Sequence, residues 1–226
     1  MITVAIFTLF VGALAKPYHM TCYYNWEQPP LKELDLSLCS HIILIGQVRL
    51  DNLGHLQLPP STISKTIRDK FGSSKLLTVA VSGPPTISKV AYDTSAFNKY
   101  VDLVQVMNYD FHIFSFAYPV VGFNAPLRRI RAELGVIGEM NSEASMATWA
   151  KLGLWTNKTV FGIPTYGRGF RLVNWRVNKP YSLATGPVDD ITRYPQVCQL
   201  LSKRNVYSYV WNEMAASPYL HGTLTS

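Results

Sequence analysis

The sequence lacks the features that mark a membrane-spanning, metal-binding or nucleic-acid-binding protein. Its longest largely apolar stretch has about 14 residues, too few to span a bilayer comfortably. The 5 histidines show no metal-ligand spacing, so we predict neither a metal site nor a cofactor. The net charge is +7, but Lys and Arg are dispersed and no basic helix carries interleaved aromatic residues. A nucleic-acid partner is therefore not expected.

The apolar stretch lies at the N-terminus, in residues 1–15, and has the length of a signal peptide. It ends in Ala13-Leu14-Ala15, a small-x-small cleavage site. The stretch contains no Lys or Arg, and a membrane anchor is the competing interpretation. We favour cleavage before Lys16, which predicts a secreted, extracellular chain without a membrane segment after the cleavage site.

The chain has only 3 cysteines, and a secreted protein meets an oxidising environment. Cys22 and Cys39 are close in sequence and could form a disulfide between the first two strand regions. Cys198 is then left over. It is either a buried free thiol or the partner of a cysteine outside this sequence.

The sequence has enough apolar material for one sizeable core, with 48% hydrophobic residues. Short runs rich in β-forming residues, bounded by Gly, Pro or Ser, predict strands over 20–26, 40–48, 75–83, 103–111 and 159–167. A helix is predicted over 142–154, with Ser142 as its N-cap. Strands that alternate with helices indicate an α/β fold with a parallel sheet.

The pattern changes after residue 170. The alternation in VYSYVWNE, residues 206–213, indicates antiparallel strands. We therefore predict that residues 171–226 form a small insertion or cap and do not continue the parallel sheet.

Polar and aromatic side chains collect where three of the predicted strands end. In α/β barrels and open parallel sheets alike, functional residues gather at the carboxyl ends of the strands. The three groups are Tyr24-Asn25-Trp26, Asn108-Tyr109-Asp110 and Tyr166-Gly167-Arg168. This arrangement predicts a site at one edge of the sheet.

These runs resemble glycoside hydrolase family 18, the chitinases and chitinase-like lectins of animals. The matches occur in the order of the family's strands across most of the chain. The first, second, fifth, sixth and seventh strands are matched by CYYNW at 22–26, LCSHIIL at 38–44, LLTVAVS at 76–82, VQVMNYDFH at 104–112 and GIPTYGRGF at 162–170. FNAPL at 123–127 resembles the loop after the sixth strand, and YVWNEMAASPY at 209–219 resembles part of the family's α+β insertion.

The resemblance implies an incomplete TIM-type (β/α)8 barrel over residues 16–170 and a partial insertion domain over 171–226. It also implies a binding site for chitin or N-acetylglucosamine oligomers. In that site Tyr109 would hydrogen-bond the acetamido group of the sugar, and Asp110 and Met107 would line the same subsite. The remaining sugar contacts would come from Tyr166 and Arg168 on the neighbouring side and from the aromatic faces of Tyr24 and Trp26.

The family's catalytic segment is absent. Its fourth strand carries an Asp-Gly-x-Asp-x-Asp-x-Glu motif, whose Glu protonates the leaving oxygen, and no such run occurs here. Only residues 49–74 join the second strand to the fifth, whereas each βαβ unit takes about 30 residues. The third and eighth strands also have no match, so we expect a truncated barrel. General acid catalysis is worth about 10²–10⁴-fold, so hydrolysis is expected to be lost.

The resulting prediction is a secreted chitinase-like protein that binds chitooligosaccharides without hydrolysing them. An active chitinase that cleaves β-1,4 N-acetylglucosamine linkages is one alternative. A non-functional splice or gene fragment is another, and a structural protein that does not bind sugar is a third. The triplet Asn157-Lys158-Thr159 is an N-glycosylation acceptor in a secreted chain, and it precedes a strand, away from the predicted site.

Overall fold

The structure is a computed structural model. It describes residues 19–25, 35, 37–45, 49–50, 56–57, 61–188, 193–203 and 206–222. In chain order the helices and strands are β1 Thr21–Asn25, β2 His41–Ile45, β3 Arg49–Leu50, β4 Leu56–Gln57, α1 Ser61–Phe71, β5 Leu76–Ser82, α2 Pro85–Ala91, α3 Thr94–Tyr100, β6 Leu103–Met107, α4 Ser142–Lys151, β7 Thr159–Phe161, β8 Gly169–Leu172, β9 Ala184–Val188, α5 Tyr194–Ser202, β10 Tyr207–Asn212 and β11 Ser217–Gly222. The predicted signal peptide lies outside the described residues.

A five-stranded parallel sheet, in the order β1-β2-β5-β6-β7, organises the fold. Its strands fall within the five predicted runs, and the predicted α/β fold with an incomplete barrel is confirmed. β2 pairs directly with β5, from His41 with Leu76 to Leu44 with Val79. Among the described residues no strand pairs with the outer edge of β1 or β7, so the sheet does not close into a barrel.

The two faces of the sheet differ in what covers them. Successive side chains of a strand point to opposite faces, and paired residues share a face. One face packs against the helices and forms the main core, each large buried side chain contributing about 1.5–3 kcal/mol relative to exposure. This core includes Tyr24, Leu44, Val79 and Val104 from the sheet and Ile67, Phe97 and Trp149 from the helices. The opposite face carries Tyr23, Ile43 and Thr78, which pair across β1, β2 and β5.

Two predicted strands end earlier than the sequence suggested. β6 ends at Met107 because its carbonyl oxygen accepts a hydrogen bond from the Tyr109 N–H at 2.9 Å, which turns the chain. β7 ends at Phe161, although the Gly162 N–H still donates to the Val106 carbonyl at 2.8 Å. Pro164 follows and has no N–H to extend the ladder. The polar residues therefore lie in loops at the carboxyl ends of the strands.

The predicted helix exists as α4, but its predicted N-cap was wrong. Asn141 occupies that position, and its side-chain oxygen accepts a hydrogen bond from the Ala144 N–H at 2.9 Å. Ser142 is the first helical residue. Asn and Ser are similarly good N-caps, so propensity alone does not distinguish two neighbouring candidates.

The pairing after β7 is antiparallel, as predicted for the region of residues 206–213. β8 pairs with β9 and β10 pairs with β11, with α5 between the two hairpins in the chain. Ala215, between β10 and β11, is fully buried against Phe123 and Ile130 of the segment that follows β6. The domain boundary at residue 170 stays a prediction.

The cysteines follow the predicted pairing in part. Cys22 and Cys39 form a disulfide, which links β1 to the residues just before β2. Cys198 on α5 is a free thiol and its side chain is exposed, which contradicts the first of the two alternatives, a buried free thiol. Within the described part of the chain, no helix combines the length and apolar character needed to cross a membrane.

Candidate functional site

The loop that leaves β6 contains a backbone conformation that non-glycine residues seldom adopt. Asp110 has a φ of 60°, in the left-handed region, where Asp and Asn are tolerated better than other residues. Its N–H donates to Oδ1 of Asn124 at 3.0 Å. The other end of that amide, Nδ2, donates to the Tyr166 carbonyl at 3.0 Å. Asn124 therefore joins the loop after β6 to the segment after β7.

The carboxylate of Asp110 is the centre of a polar cluster. Its Oδ1 atom accepts hydrogen bonds from the Tyr166 hydroxyl at 2.8 Å and from Nε of Arg168 at 2.7 Å. The Nη2 atom of Arg168 lies 2.7 Å from the same oxygen, and both charged side chains are about one-third exposed, at 31% for Asp110 and 32% for Arg168. The hydrogen bond to Asp110 raises the pKa of Arg168. The ion pair thus leaves no net charge at the centre of the cluster.

Two phenol groups border this ion pair. The rings of Tyr109 and Tyr166 meet edge to face with centroids 5.8 Å apart, and the guanidinium of Arg168 lies 5.2 Å from the Tyr166 centroid. Burial raises the pKa of Tyr109, and the neighbouring Asp110 and Tyr23 raise it further. Burial also raises the pKa of Tyr166, with its hydrogen bond to Asp110 as the next cause. Both phenols therefore keep their protons at neutral pH.

These groups suit a neutral ligand with hydroxyl and amide groups. Such a ligand needs hydrogen-bond donors, acceptors and an apolar face, but no counter-charge. Tyr109 supplies a hydroxyl and an aromatic ring. Asp110 supplies a hydrogen-bond acceptor and Arg168 supplies donors, and the charges of these two side chains neutralise each other. A cleft of about 550 Å³ adjoins the cluster and is lined by Thr165, Tyr166, Arg193, Tyr194 and Pro195.

The structure brings together four of the predicted site residues: Tyr109, Asp110, Tyr166 and Arg168. Met107 is half-buried at the end of β6, directly before the cluster. Tyr24 lies elsewhere, 6% exposed in the core on the helix-covered face, where burial raises its pKa. Trp26 lies outside the described residues.

Two residues near the cluster were not predicted from the sequence as site residues. Tyr23 is 67% exposed, points to the face opposite Tyr24 and lies close enough to Tyr109 to affect its pKa. Strand alternation combined with the Cys22–Cys39 disulfide would have assigned Tyr24 to the core side. Asn124 lies in the FNAPL motif, but the sequence does not indicate that it links two loops, because both of its partners are distant in sequence.

The predicted glycosylation site lies away from this cluster. Asn157 is exposed in the 3₁₀ turn Thr156–Lys158, which precedes the amino end of β7. Its modification stays a prediction. Across the described ranges, no group of three or more His, Cys, Asp or Glu side chains is arranged to hold a metal ion.

Comparisons with known proteins point to one family. The family model for glycosyl hydrolases family 18 matches residues 61–225. An oviduct-specific glycoprotein from Papio anubis is 33% identical over 136 residues, which are 60% of this chain and 20% of that protein. Chitotriosidase-1 from Mus musculus is 34% identical over 112 residues, which are 50% of this chain and 24% of that protein.

A solved structure agrees with these sequence matches. The group IV chitinase of Ostrinia furnacalis superimposes with a TM-score of 0.71 at 27% identity, covering 80% of this chain and 53% of that chain. The chain thus spans about a fifth to a quarter of the length of the two curated relatives and about half of the solved chitinase.

Proposed function

The chain belongs to glycosyl hydrolases family 18, and from this premise we propose that it is a secreted protein that binds chitin or N-acetylglucosamine oligomers without hydrolysing them. The names of two similar proteins, chitotriosidase-1 and a group IV chitinase, support a chitin-type ligand. The N-terminal sequence supports secretion.

The Asp110 cluster is the main structural support for sugar binding. Tyr109, Asp110 and Arg168 adjoin one another at the carboxyl end of β6, where family members of this fold type build their sites. An acetamido group offers one N–H donor and one carbonyl acceptor. The Asp110 carboxylate can accept the N–H, and the Tyr109 hydroxyl can donate to the carbonyl.

The direct pairing of β2 with β5 supports the loss of hydrolysis. The segment with the donor Glu would enter the sheet between these two strands, and in this chain they are hydrogen-bonded neighbours. Asp110 lies in the loop after β6 and not between β2 and β5, and its Oδ1 atom already accepts hydrogen bonds from Arg168 and Tyr166. The proposed site therefore binds sugar but has no positioned proton donor.

Titration calorimetry with chitotetraose tests the binding, and mass spectrometry of the sugar after incubation tests the chemistry. The proposal expects saturable binding and intact tetrasaccharide. Replacing Arg168 with Ala should weaken binding about tenfold or more, because hydrogen bonds to a charged group contribute about 1.5–3 kcal/mol.

Arg176→Ala is the matched control for this substitution. Arg176 also stacks on an aromatic ring, with its guanidinium 4.9 Å from the Trp175 centroid, and is not part of the cluster. It should bind chitotetraose like the wild type. Shorter sugar products that depend on the protein would instead support an active chitinase. Absence of binding in a folded protein would contradict the proposal.

A further inference from the structure

The turn before β7 combines the only N-glycosylation triplet of the chain with an exposed tryptophan. Asn157-Lys158-Thr159 is the single Asn-x-Ser/Thr sequence in the 226 residues. Asn157 is exposed, and among the described residues no hydrogen bond holds its side-chain amide. Trp155 stands two residues earlier, and its side chain is 55% exposed.

Hydrogen bonds fix the backbone on both sides of Asn157. The Trp155 N–H donates to Oδ1 of Asn98 at 3.0 Å. The Trp155 carbonyl accepts from the Lys158 N–H at 3.1 Å and from the Thr159 hydroxyl at 3.0 Å. The tryptophan and the acceptor asparagine therefore belong to one closed turn, in which their spacing is fixed.

The tryptophan ring is held as well. Lys158 Nζ lies 5.3 Å from the ring centroid, in a cation–π contact. The same ammonium donates to the carbonyls of Asn98 at 2.6 Å and Val101 at 2.7 Å, which anchors it to the protein. The ring is thus held in place but still half exposed, two residues before the modification site. A sugar that packs on it would immobilise little further, so the entropy cost of the contact is small.

We propose that Asn157 carries an N-linked glycan and that its first N-acetylglucosamine packs on the exposed ring of Trp155. In the modification, Nδ2 of Asn157 forms a bond to C1 of the reducing-end sugar of a lipid-linked oligosaccharide. The bond between C1 and the lipid diphosphate breaks, the diphosphate leaves, and Nδ2 releases one proton. The pyranose has an apolar C–H face, which matches the ring of the tryptophan.

The glycan sits at the amino end of β7, opposite the carboxyl ends that carry the Asp110 cluster. It leaves the proposed sugar-binding site open, and the inference does not depend on that site. β7 is an edge strand among the described elements, with Val160 and Phe161 38% and 42% exposed. A sugar packed beside this strand would stabilise its start and hinder pairing with a second sheet.

The test uses the full chain secreted from cells that retain high-mannose glycans. Intact mass before and after glycosidase treatment gives the occupancy of Asn157. Peptide-N-glycosidase removes the whole glycan, and endoglycosidase H leaves one N-acetylglucosamine on the asparagine. We expect the fully deglycosylated protein to unfold about 2–4 °C lower, the shift that one modest contact gives in a chain of this length. The protein that keeps one sugar should unfold like the intact glycoprotein.

The Trp155→Ala variant tests whether Trp155 causes the drop in unfolding temperature. In that variant, complete deglycosylation should leave the unfolding temperature unchanged, although the enzyme converts Asn157 to Asp just as in the wild type. Trp175→Ala, at a tryptophan that is 62% exposed, should keep the wild-type difference. An unmodified Asn157, or an equal temperature drop in Trp155→Ala and wild type, would overturn the inference.

Discussion

At the scale of single residues, Asp110 connects two parts of the chain that are far apart in sequence. Its carboxylate accepts hydrogen bonds from Tyr166 and Arg168, which are 56 and 58 positions away. Its left-handed backbone is held by Asn124. Strained residues often persist where surrounding contacts over-determine them, and they cluster at binding sites.

Replacing Tyr166 with Phe removes one donor to Asp110 and keeps the ring that faces Tyr109. We expect a smaller loss of chitotetraose affinity than Arg168→Ala gives, because the ion pair remains. The cost in unfolding free energy should be about 1 kcal/mol, the net value of one hydrogen bond. Calorimetry and urea unfolding measure the two quantities. An affinity loss larger than that of Arg168→Ala would mean that Tyr166 contacts the sugar itself.

Tyr23 and Tyr24 should separate binding from stability. Tyr24→Ala removes a core aromatic that is 6% exposed and should cost about 3–5 kcal/mol of unfolding free energy. Tyr23→Ala removes a side chain that is 67% exposed and should cost less than about 0.5 kcal/mol. It should nevertheless weaken chitotetraose binding, because Tyr23 is close enough to Tyr109 to raise its pKa. Urea unfolding and calorimetry measure the two quantities. If Tyr24 were the sugar platform, calorimetry would show the larger loss of binding in Tyr24→Ala.

The sequence predicted which residues form the cluster better than it predicted the contacts between them. Tyr109, Asp110, Tyr166 and Arg168 were identified from motifs, and the structure brings them together. The sequence favoured Tyr24 on β1 as a sugar contact, whereas the structure buries Tyr24 in the core and exposes Tyr23 on the opposite face. Which of the two tyrosines contacts sugar stays a prediction.

At the scale of elements, the loop after β6 contains a buried histidine. His112 is 8% exposed, and its Nδ1 must donate to the Phe123 carbonyl at 3.1 Å because a carbonyl only accepts. Gly122 packs against the ring, and a Cβ added there would come within 2.3 Å of it. Burial lowers the pKa of His112 from its ordinary value of 6.5. The loop therefore holds a neutral imidazole next to the Asp110 cluster.

The folded protein should lose stability as the pH falls below about 6.5. The unfolded chain binds a proton at His112 there, whereas the folded chain binds it only at lower pH. This contribution is fully present above the unfolded pKa and disappears as the pH falls through the folded one. The slope from this residue is at most about 1.4 kcal/mol per pH unit. Urea unfolding between pH 5 and 8 measures it.

His112→Asn is the control, because the Asn amide nitrogen is attached to Cγ like the imidazole Nδ1 and can still donate to the Phe123 carbonyl, but does not titrate. Its stability should fall less on acidification than that of the wild type. Burial raises the pKa of Glu133, which has the opposite pH dependence, but that residue is present in both proteins and cancels in the comparison. Equal slopes would rule out His112 as the source.

The disulfide should contribute much of the free energy that holds β1 in place. Among the described strands, β1 is an edge strand that pairs only with β2. Cys22 and Cys39 are separated by 17 positions, and closing a loop of this size is worth about 3 kcal/mol in the unfolded chain. The Cys22→Ala, Cys39→Ala double variant should lose about 2–4 kcal/mol of unfolding free energy in urea. A loss below about 1 kcal/mol would indicate that β1 is held mainly by its core contacts.

At the scale of the whole molecule, the sheet is an open segment of a barrel. Strand number, tilt and shear are linked, so five strands cannot close an eight-stranded cylinder. The sequence predicted this deficit, because residues 49–74 are too few for two further βαβ units. It did not predict that β2 and β5 would pair with each other, since register across a sheet depends on contacts that are remote in sequence.

The central claim is that this open sheet still binds chitin oligomers. Thermal unfolding of the secreted chain with and without chitotetraose tests it most directly, because a ligand that binds only the folded state raises its midpoint. A sharp transition should move upward by about 5–10 °C when the sugar is present at about 100 times its Kd. A sharp transition that does not move, or unfolding without a transition, would contradict the claim.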